Sequence, residues 1–249
     1  MATKYKKHVV IPDTQVKPGV PTDHLKWLGR YIADQKPDTV IHLGDHWDFP
    51  SLSEHDDDKP LLTEGQDTAA DVKAGNDALA LLSSGFRNLK CRRVLLRGNH
   101  EYRLERAREK SPRKLRSLFG EHLFNDRALG WEPIPFKKIV MLDGIAYCHF
   151  FYNTRTGKPY GGTAMSMLPR VGHSFIQGHR QGLDTSGEMT TALGERRRGI
   201  IAGSFYQHRE EYLGPQSNEW RGVLVLHEVR GGTFDLMEVS LEYLRRRYG

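Results

Sequence analysis

Short β-branched apolar runs alternate along this chain with longer stretches of helical spacing, a rhythm that predicts an α/β protein. His8-Val-Val-Ile-Pro-Asp13 reads as a first strand, and a Pro/Gly-rich turn through Gly19 follows it. Thr22 or Asp23 caps a helix running to about residue 35, with Leu25, Leu28, Tyr31 and Ile32 on its inner face. Thr39-Val-Ile-His-Leu43 is the central strand, apolar enough to lie buried in a parallel sheet. The acidic run over 53–59 reads as a solvated loop. Ala70, Ala74, Ala78, Leu81 and Leu82 predict a helix over 67–82 that stops near Gly85. A strand over 93–96 precedes a basic helical stretch over 102–118, broken around Pro112. Residues 137–142 and 145–151 form a hairpin turning at Asp143-Gly144. Two short strands then end in Gly-bracketed loops, Ser174-Phe-Ile-Gln-Gly-His-Arg-Gln-Gly182 and Gly199-Ile-Ile-Ala-Gly-Ser204. A last hairpin over 223–239 turns at Gly231-Gly232, and a basic tail closes the chain.

No internal repeat, linker or shift of composition interrupts the 249 residues, so residues 1–249 are read as a single domain with no separate capping domain. No run of eighteen apolar residues spans a membrane, and the basic N-terminus lacks the apolar core of a signal peptide. Cys91 and Cys148 sit in or beside apolar strands and read as small reduced thiols. A cytoplasmic protein is expected, in host cytoplasm if the gene is carried by a phage. A formal charge of +6 points weakly to an anionic partner.

The acids stand where the strands end. Gly44-Asp-His-Trp-Asp48 delivers Asp45 and Asp48 at the carboxyl end of a buried strand, the place where α/β sheets build sites. Buried carboxylates are costly unless something cationic neutralises them. Five strand ends carry oxygen or imidazole donors: Asp13 with Gln15, Asp45 with Asp48, Asn99 with His100, His149, and His179 with Gln181. Each alone is commonplace, and His149 alone reads as a satisfied core histidine. Five in order, each closing an apolar strand, point to a metal centre of the Mn, Fe or Zn type rather than a cysteine-bound structural zinc.

This ordered set, Asp13-Thr-Gln15, Gly44-Asp-His-Trp-Asp48, Gly98-Asn-His-Glu101, His149 and Gly178-His-Arg-Gln181, resembles the calcineurin-like metallophosphoesterase superfamily. The resemblance implies a two-sheet αββα sandwich and two divalent metal ions bridged by Asp45. One ion would take Asp45, Asn99, His149 and His179, and the other Asp13, Gln15, Asp45 and Gln181. Gln15 and Gln181 stand where the family usually has histidine. Amide oxygen is a harder ligand than imidazole, so a weaker second site is expected, with manganese ahead of magnesium, iron, zinc or nickel. By the same resemblance His100 sits beside the leaving group, oriented by Asp48. Glu101 reads as a helix N-terminal carboxylate, and His173 as a loop or outer residue.

Arg155, Arg180, the 196–198 arginines and the basic stretch after His100 are candidates for a polynucleotide backbone, and Tyr102 for stacking on a base. These features predict a nuclease or phosphodiesterase acting on DNA or nucleotides, similar to the small phage and bacterial DNA-exonuclease branch. The alternatives are a phosphomonoesterase, either a nucleotidase or an enzyme similar to the protein serine/threonine phosphatases in the string Arg97-Gly-Asn-His-Glu101, and a non-catalytic scaffold with one weakened metal site.

Overall fold

In a computed structural model that describes residues 4–53, 65–209 and 219–249, the chain forms two sheets back to back. Most of the predicted acidic loop, 54–59, lies outside the described residues. The first sheet has the order β11-β10-β1-β2-β3-β4. Its strands are β1 (Lys6–Ile11), β2 (Thr39–His42), β3 (Arg92–Leu96), β4 (Glu132–Ile134), β10 (Gly222–Arg230) and β11 (Thr233–Ser240). The second has the order β5-β6-β7-β9-β8. It is built from β5 (Val140–Leu142), β6 (Ile145–Cys148), β7 (Ser174–Gln177), β8 (Leu183–Thr190) and β9 (Arg196–Ala202). β1 to β4 run parallel, as do β6, β7 and β9, so their carboxyl ends collect at one edge of the sandwich.

Val10, Ile41, Val94, Tyr147, Ile176, Ile200 and Leu224 fill the space between the sheets. On the outer face of the first sheet pack α1 (Asp23–Gln35), α2 (Thr68–Ser84) and α5 (Leu241–Tyr248), burying Leu25, Leu28, Leu79, Leu82 and Leu244. On the second lies α4 (Ala164–Val171), through Met167 and Leu168. The layers are therefore αββα, as the resemblance implied.

Several elements differ from the sequence reading. The helix expected from residue 102 begins at the strand end itself, as α3 (Asn99–Lys110), because Glu101 satisfies the N–H of Gly98 at its N-terminus. Past Lys110 the chain tightens into a 3-10 helix over Arg113–Leu118. The basic tail is α5, whose Arg245 pairs with Glu242 while Leu244 is buried. β4, β8 and α4 escaped the pattern because they are short or mostly polar. Cys91 and Cys148 are free thiols. Among the described residues, no helix is long and apolar enough to cross a membrane.

Candidate metal centre

Two aspartates anchor the site, and each is built the same way. Asp13 follows β1 and is fully buried; its Oδ1 accepts the backbone N–H of His179 at 3.0 Å. Asp45 follows β2, and its Oδ1 accepts the backbone N–H of His100 at 3.0 Å. Both contacts depend on a glycine next door. A Cβ on Gly178 would stand 2.4 Å from Asp13 Oδ1, and one on Gly98 2.0 Å from Asp45 Oδ1. With Oδ1 committed, each carboxylate keeps Oδ2 for something else. Asp45 Oδ2 lies 3.3 Å from His149 Nε2 and 3.8 Å from His100 Nε2. Asp13 Oδ2 is buried with no hydrogen-bond partner among the described residues, a costly state unless a cation faces it.

Imidazoles complete one side. His149 Nδ1 donates to the carbonyl of Leu43 at 2.9 Å, which aims Nε2 at Asn99 Oδ1 (2.9 Å) and Asp45 Oδ2. Ligand atoms of Asp45, His149 and His179 all lie within 4.8 Å of one another. An Nε2 crowded by two oxygens needs a positive charge between them, either a proton or a metal ion. Burial works against a charge on His149, but Asp45, helped by Asp13, raises it to about 9. His179 goes the other way: burial and the neighbouring His149 push it down to about 4, leaving a neutral ring able to ligate. Burial disfavours charge on Asp45 too, yet His100, His149 and His179 hold it well below the usual carboxylate range. Asp13 is pushed up by burial to about 7, with His149 opposing and Asp45 adding to the shift. The donor set of Asp, Asn and His, with an orphaned carboxylate oxygen beside it, fits divalent metal ions.

The two glutamines sit differently. Gln15 is buried at φ 41, its N–H bound to Asp45 O at 2.9 Å, so it lies in the loop that flanks both aspartates. Gln181 follows β7, and its Oε1 accepts the hydroxyl of Tyr206 at 3.0 Å. Gln15, Asp45, Phe49 and His179 all have positive φ without being glycine. Such strained backbone concentrates at functional sites.

His100 and Asp48 are in contact. His100 Nδ1 is 2.5 Å from Asp48 Oδ1, and Lys17 Nζ is 3.3 Å from Asp48 Oδ2. Arg103 ties the same turn by donating to the carbonyls of Asp48 (3.0 Å) and Phe49 (3.1 Å). Burial opposes charge on His100, but Asp45 and Asp48 raise it to about 9. Asp48 is lowered despite its burial, chiefly by its hydrogen bond to His100.

Two supports of the site were not legible in the sequence. Glu101 is more than a helix cap: Oε1 accepts N–H groups of His46 (2.6 Å) and Trp47 (3.1 Å), and Oε2 those of Gly98 (2.7 Å) and Asp45 (3.0 Å). It is a buckle around the loop that carries Asp45. Beneath that loop runs a one-way chain of hydrogen bonds. Gly44 N–H donates to His42 Nδ1 (3.2 Å), so His42 donates from Nε2 to Thr14 Oγ1 (3.1 Å). Thr14 then donates to His46 Nδ1 (2.7 Å), and His46 Nε2 to Gly75 O (2.9 Å). Thr14 thereby joins the Asp13 loop to the Asp45 loop. The only sequence signal was position, one residue after Asp13.

The proposed substrate residues scatter. Tyr102 stacks on Phe136 with ring centres 4.9 Å apart. Arg155 is exposed on the turn over 153–157, where its N–H bonds Asn153 Oδ1 at 2.9 Å. Arg180 donates to the carbonyl of Gly162. The 196–198 arginines do not reach the site: they open β9, at the end of the sheet away from the aspartates, and pair with Glu188 and Glu195. His173 is exposed just before β7.

A search among curated proteins returns no match to this chain. A family model described as calcineurin-like phosphoesterase matches residues 7–169, which include Asp13, Asp45, Asp48, Asn99, His100 and His149, while His179 and Gln181 lie beyond it. With that match covering well over half of its length and metal-binding donors converging at the sheet edge, the chain belongs to the calcineurin-like phosphoesterases, metal-dependent hydrolases of phosphoesters.

Proposed function

We propose that this protein is a dinuclear phosphodiesterase or nuclease acting on DNA or nucleotides, with manganese the preferred ion, akin to the small phage and bacterial exonuclease branch of the family. The observation that carries the reading is the split use of the two aspartates: each fixes Oδ1 on a backbone N–H, which leaves Asp45 Oδ2 3.3 Å from His149 Nε2 and Asp13 Oδ2 buried with no partner among the described residues. Asp45, Asn99, His149 and His179 would hold one ion, and Asp13, Gln15 and Gln181 with Asp45 would hold the other. Bound there, divalent ions neutralise the phosphoester oxygens and lower the pKa of a water.

His100 is the general acid. Asp48 accepts a hydrogen bond from Nδ1–H and fixes the ring, so Nε2 points to the centre beside Asp45. Against its burial, Asp45 and Asp48 raise the ring to about 9 in the metal-free protein; with ions on Asp45, the hydrogen bond to Asp48 is what favours the protonated ring that would pass a proton to the departing oxygen. Lys17 and Arg103 hold Asp48 in place. A phosphomonoesterase is less well supported, because Arg97 of the phosphatase-like string is buried against Asp126 and Glu121 and is not presented to a phosphate. The basic residues after His100 favour a polyanion instead.

The test is hydrolysis of bis-p-nitrophenyl phosphate and of single-stranded DNA with manganese. His100→Ala should slow both by about 10²–10⁴-fold. Faster turnover of monoesters than diesters would replace this reading with a phosphomonoesterase, and no turnover with any divalent ion would leave a scaffold.

A further inference from the structure

Beside the metal centre, on the β4 side, the aromatic residues form a connected path. His179 packs on Phe150 with ring centres 4.8 Å apart, and Phe150 meets Phe136 edge-on at 5.5 Å. Phe136 stacks on Tyr102 at 28° between planes. The stacked pair walls a mostly apolar cavity of about 290 Å³ together with Leu104, Phe124 and Pro135, and the lining also includes Arg97, Glu101, Glu105 and Glu121. Glu101, which accepts the N–H of Asp45, also lines the cavity, so the cavity flanks the centre.

Lys137 stands where this path forks. Its ammonium lies 5.4 Å from the ring centre of Phe136, 6.0 Å from Phe150 and 5.3 Å from Tyr152. Among the described residues its hydrogen bond goes to the carbonyl of Gly157, at 3.2 Å, leaving two of its three donors for an anion. The residue adopts φ 62, an uncommon backbone for a side chain of this kind. No acidic group pairs with it among the described residues, and Arg155 lies on the turn whose Gly157 it contacts. A flat apolar wall and an unpaired cation, adjacent in the chain, match the two chemically distinct parts of one nucleotide: a base and a phosphate.

We propose that Tyr102, Phe136 and Lys137 form a subsite for the nucleotide next to the scissile phosphate of a single strand. The base lies in the cavity against the Tyr102–Phe136 wall, and Lys137 takes the neighbouring phosphate. This rests on the phosphodiesterase reading and specifies its substrate as a polynucleotide. Stacking tolerates any base, so the subsite measures strand, not sequence.

The experiment compares wild type with Phe136→Leu, which keeps bulk but removes the π face, and Lys137→Gln, each checked for folding by circular dichroism. Binding of a fluorescent single-stranded oligothymidylate is measured by anisotropy without added metal, over a range of salt. Alongside it, kcat/KM is measured with manganese for the oligonucleotide and for bis-p-nitrophenyl phosphate, which has no neighbouring nucleotide. Lys137→Gln should lower the slope of log affinity against log salt by about 0.7, one phosphate contact on a single strand. Phe136→Leu should weaken binding at least about fivefold with the slope unchanged. Both variants should lose more on the oligonucleotide than on the small diester. Wild-type affinity and slope in both variants, equal losses on the two substrates, or no oligonucleotide binding by the wild type would overturn the subsite. A wild type that binds the strand through these residues but cleaves no diester would instead overturn the phosphodiesterase reading alone.

Discussion

Replacing Glu101 with glutamine tests how the Asp45 loop is held. The carboxylate accepts two N–H groups on each oxygen, those of His46 and Trp47 on one and those of Gly98 and Asp45 on the other. A glutamine of the same shape has one oxygen and one NH2, so in either orientation the amine faces two backbone donors. Two hydrogen bonds to a charged acceptor are lost, at about 1.5–3 kcal/mol each. Removing a negative charge beside Asp45 relieves some repulsion, which brings the net cost toward the lower half of that sum, about 3 kcal/mol. For a chain of this size the melting temperature should fall by about 6–12 °C. Asp45 should also lose its position, weakening metal binding by about 10–100-fold, the usual effect of removing a group that orients a ligand. Thermal unfolding of the metal-free protein and calorimetric titration with manganese measure the two effects. A variant that melts within about 1 °C of wild type and binds manganese equally well would show that the four contacts do not hold the loop.

Thr14→Val should leave His42 Nε2–H and His46 Nδ1 buried without partners, at about 1–3 kcal/mol each, whereas Thr14→Ser should restore both; ¹⁵N spectra of the two rings would show whether their tautomers change. Titration of the metal-free protein should reveal two unequal affinities, and Gln15→His with Gln181→His should raise the weaker one for zinc; two equally tight zinc ions in wild type would contradict the hardness argument. Because His149 is raised to about 9, an ion that binds its Nε2 must displace a proton, so calorimetry near neutral pH in buffers of different ionisation heat should register proton release. His24 is pushed down to about 4 by burial, against a hydrogen bond to Gln207, from an ordinary 6.5. Between those values the unfolded chain binds more protons, so this contribution is complete above 6.5 and is lost as pH falls toward 4; His24→Gln should flatten the pH dependence of urea unfolding in that window.

The fold was readable wherever burial imposed a period. β1, β2, β3, β7 and β9 carry runs of buried apolar residues and α1 shows a clear inner stripe, whereas the buried face of α2 runs through Asp71, Gly75, Ala78, Leu79 and Leu82, with the expected Ala70, Ala74 and Leu81 only half-buried. The reading failed where tertiary contacts replaced local signals. β8 is half exposed and reads as polar, because it is an edge strand whose Glu188 pairs with Arg196 and Arg198 of β9. The tail arginines hid α5, since one buried residue, Leu244, and contacts to α1 are what fix it. The 196–198 arginines were drawn toward the substrate by charge alone; pairing across β8 and β9 accounts for them without one.

At the site, residue types were legible and their geometry was not. Asp13, Asp45, Asn99, His149 and His179 announce themselves by standing after apolar strands, because parallel strands must deliver their ends to one edge. Which oxygen of each aspartate stays available follows from contacts 55 and 166 residues apart in sequence, Asp45 to His100 and Asp13 to His179. The glycines of the two motifs explain why those contacts are possible: Gly98 and Gly178 clear the space in which the next backbone N–H meets a carboxylate. Read from the sequence, these glycines mark turns. Read from the structure, they set the direction in which the negative charge faces, and that direction makes a metal centre out of buried acids.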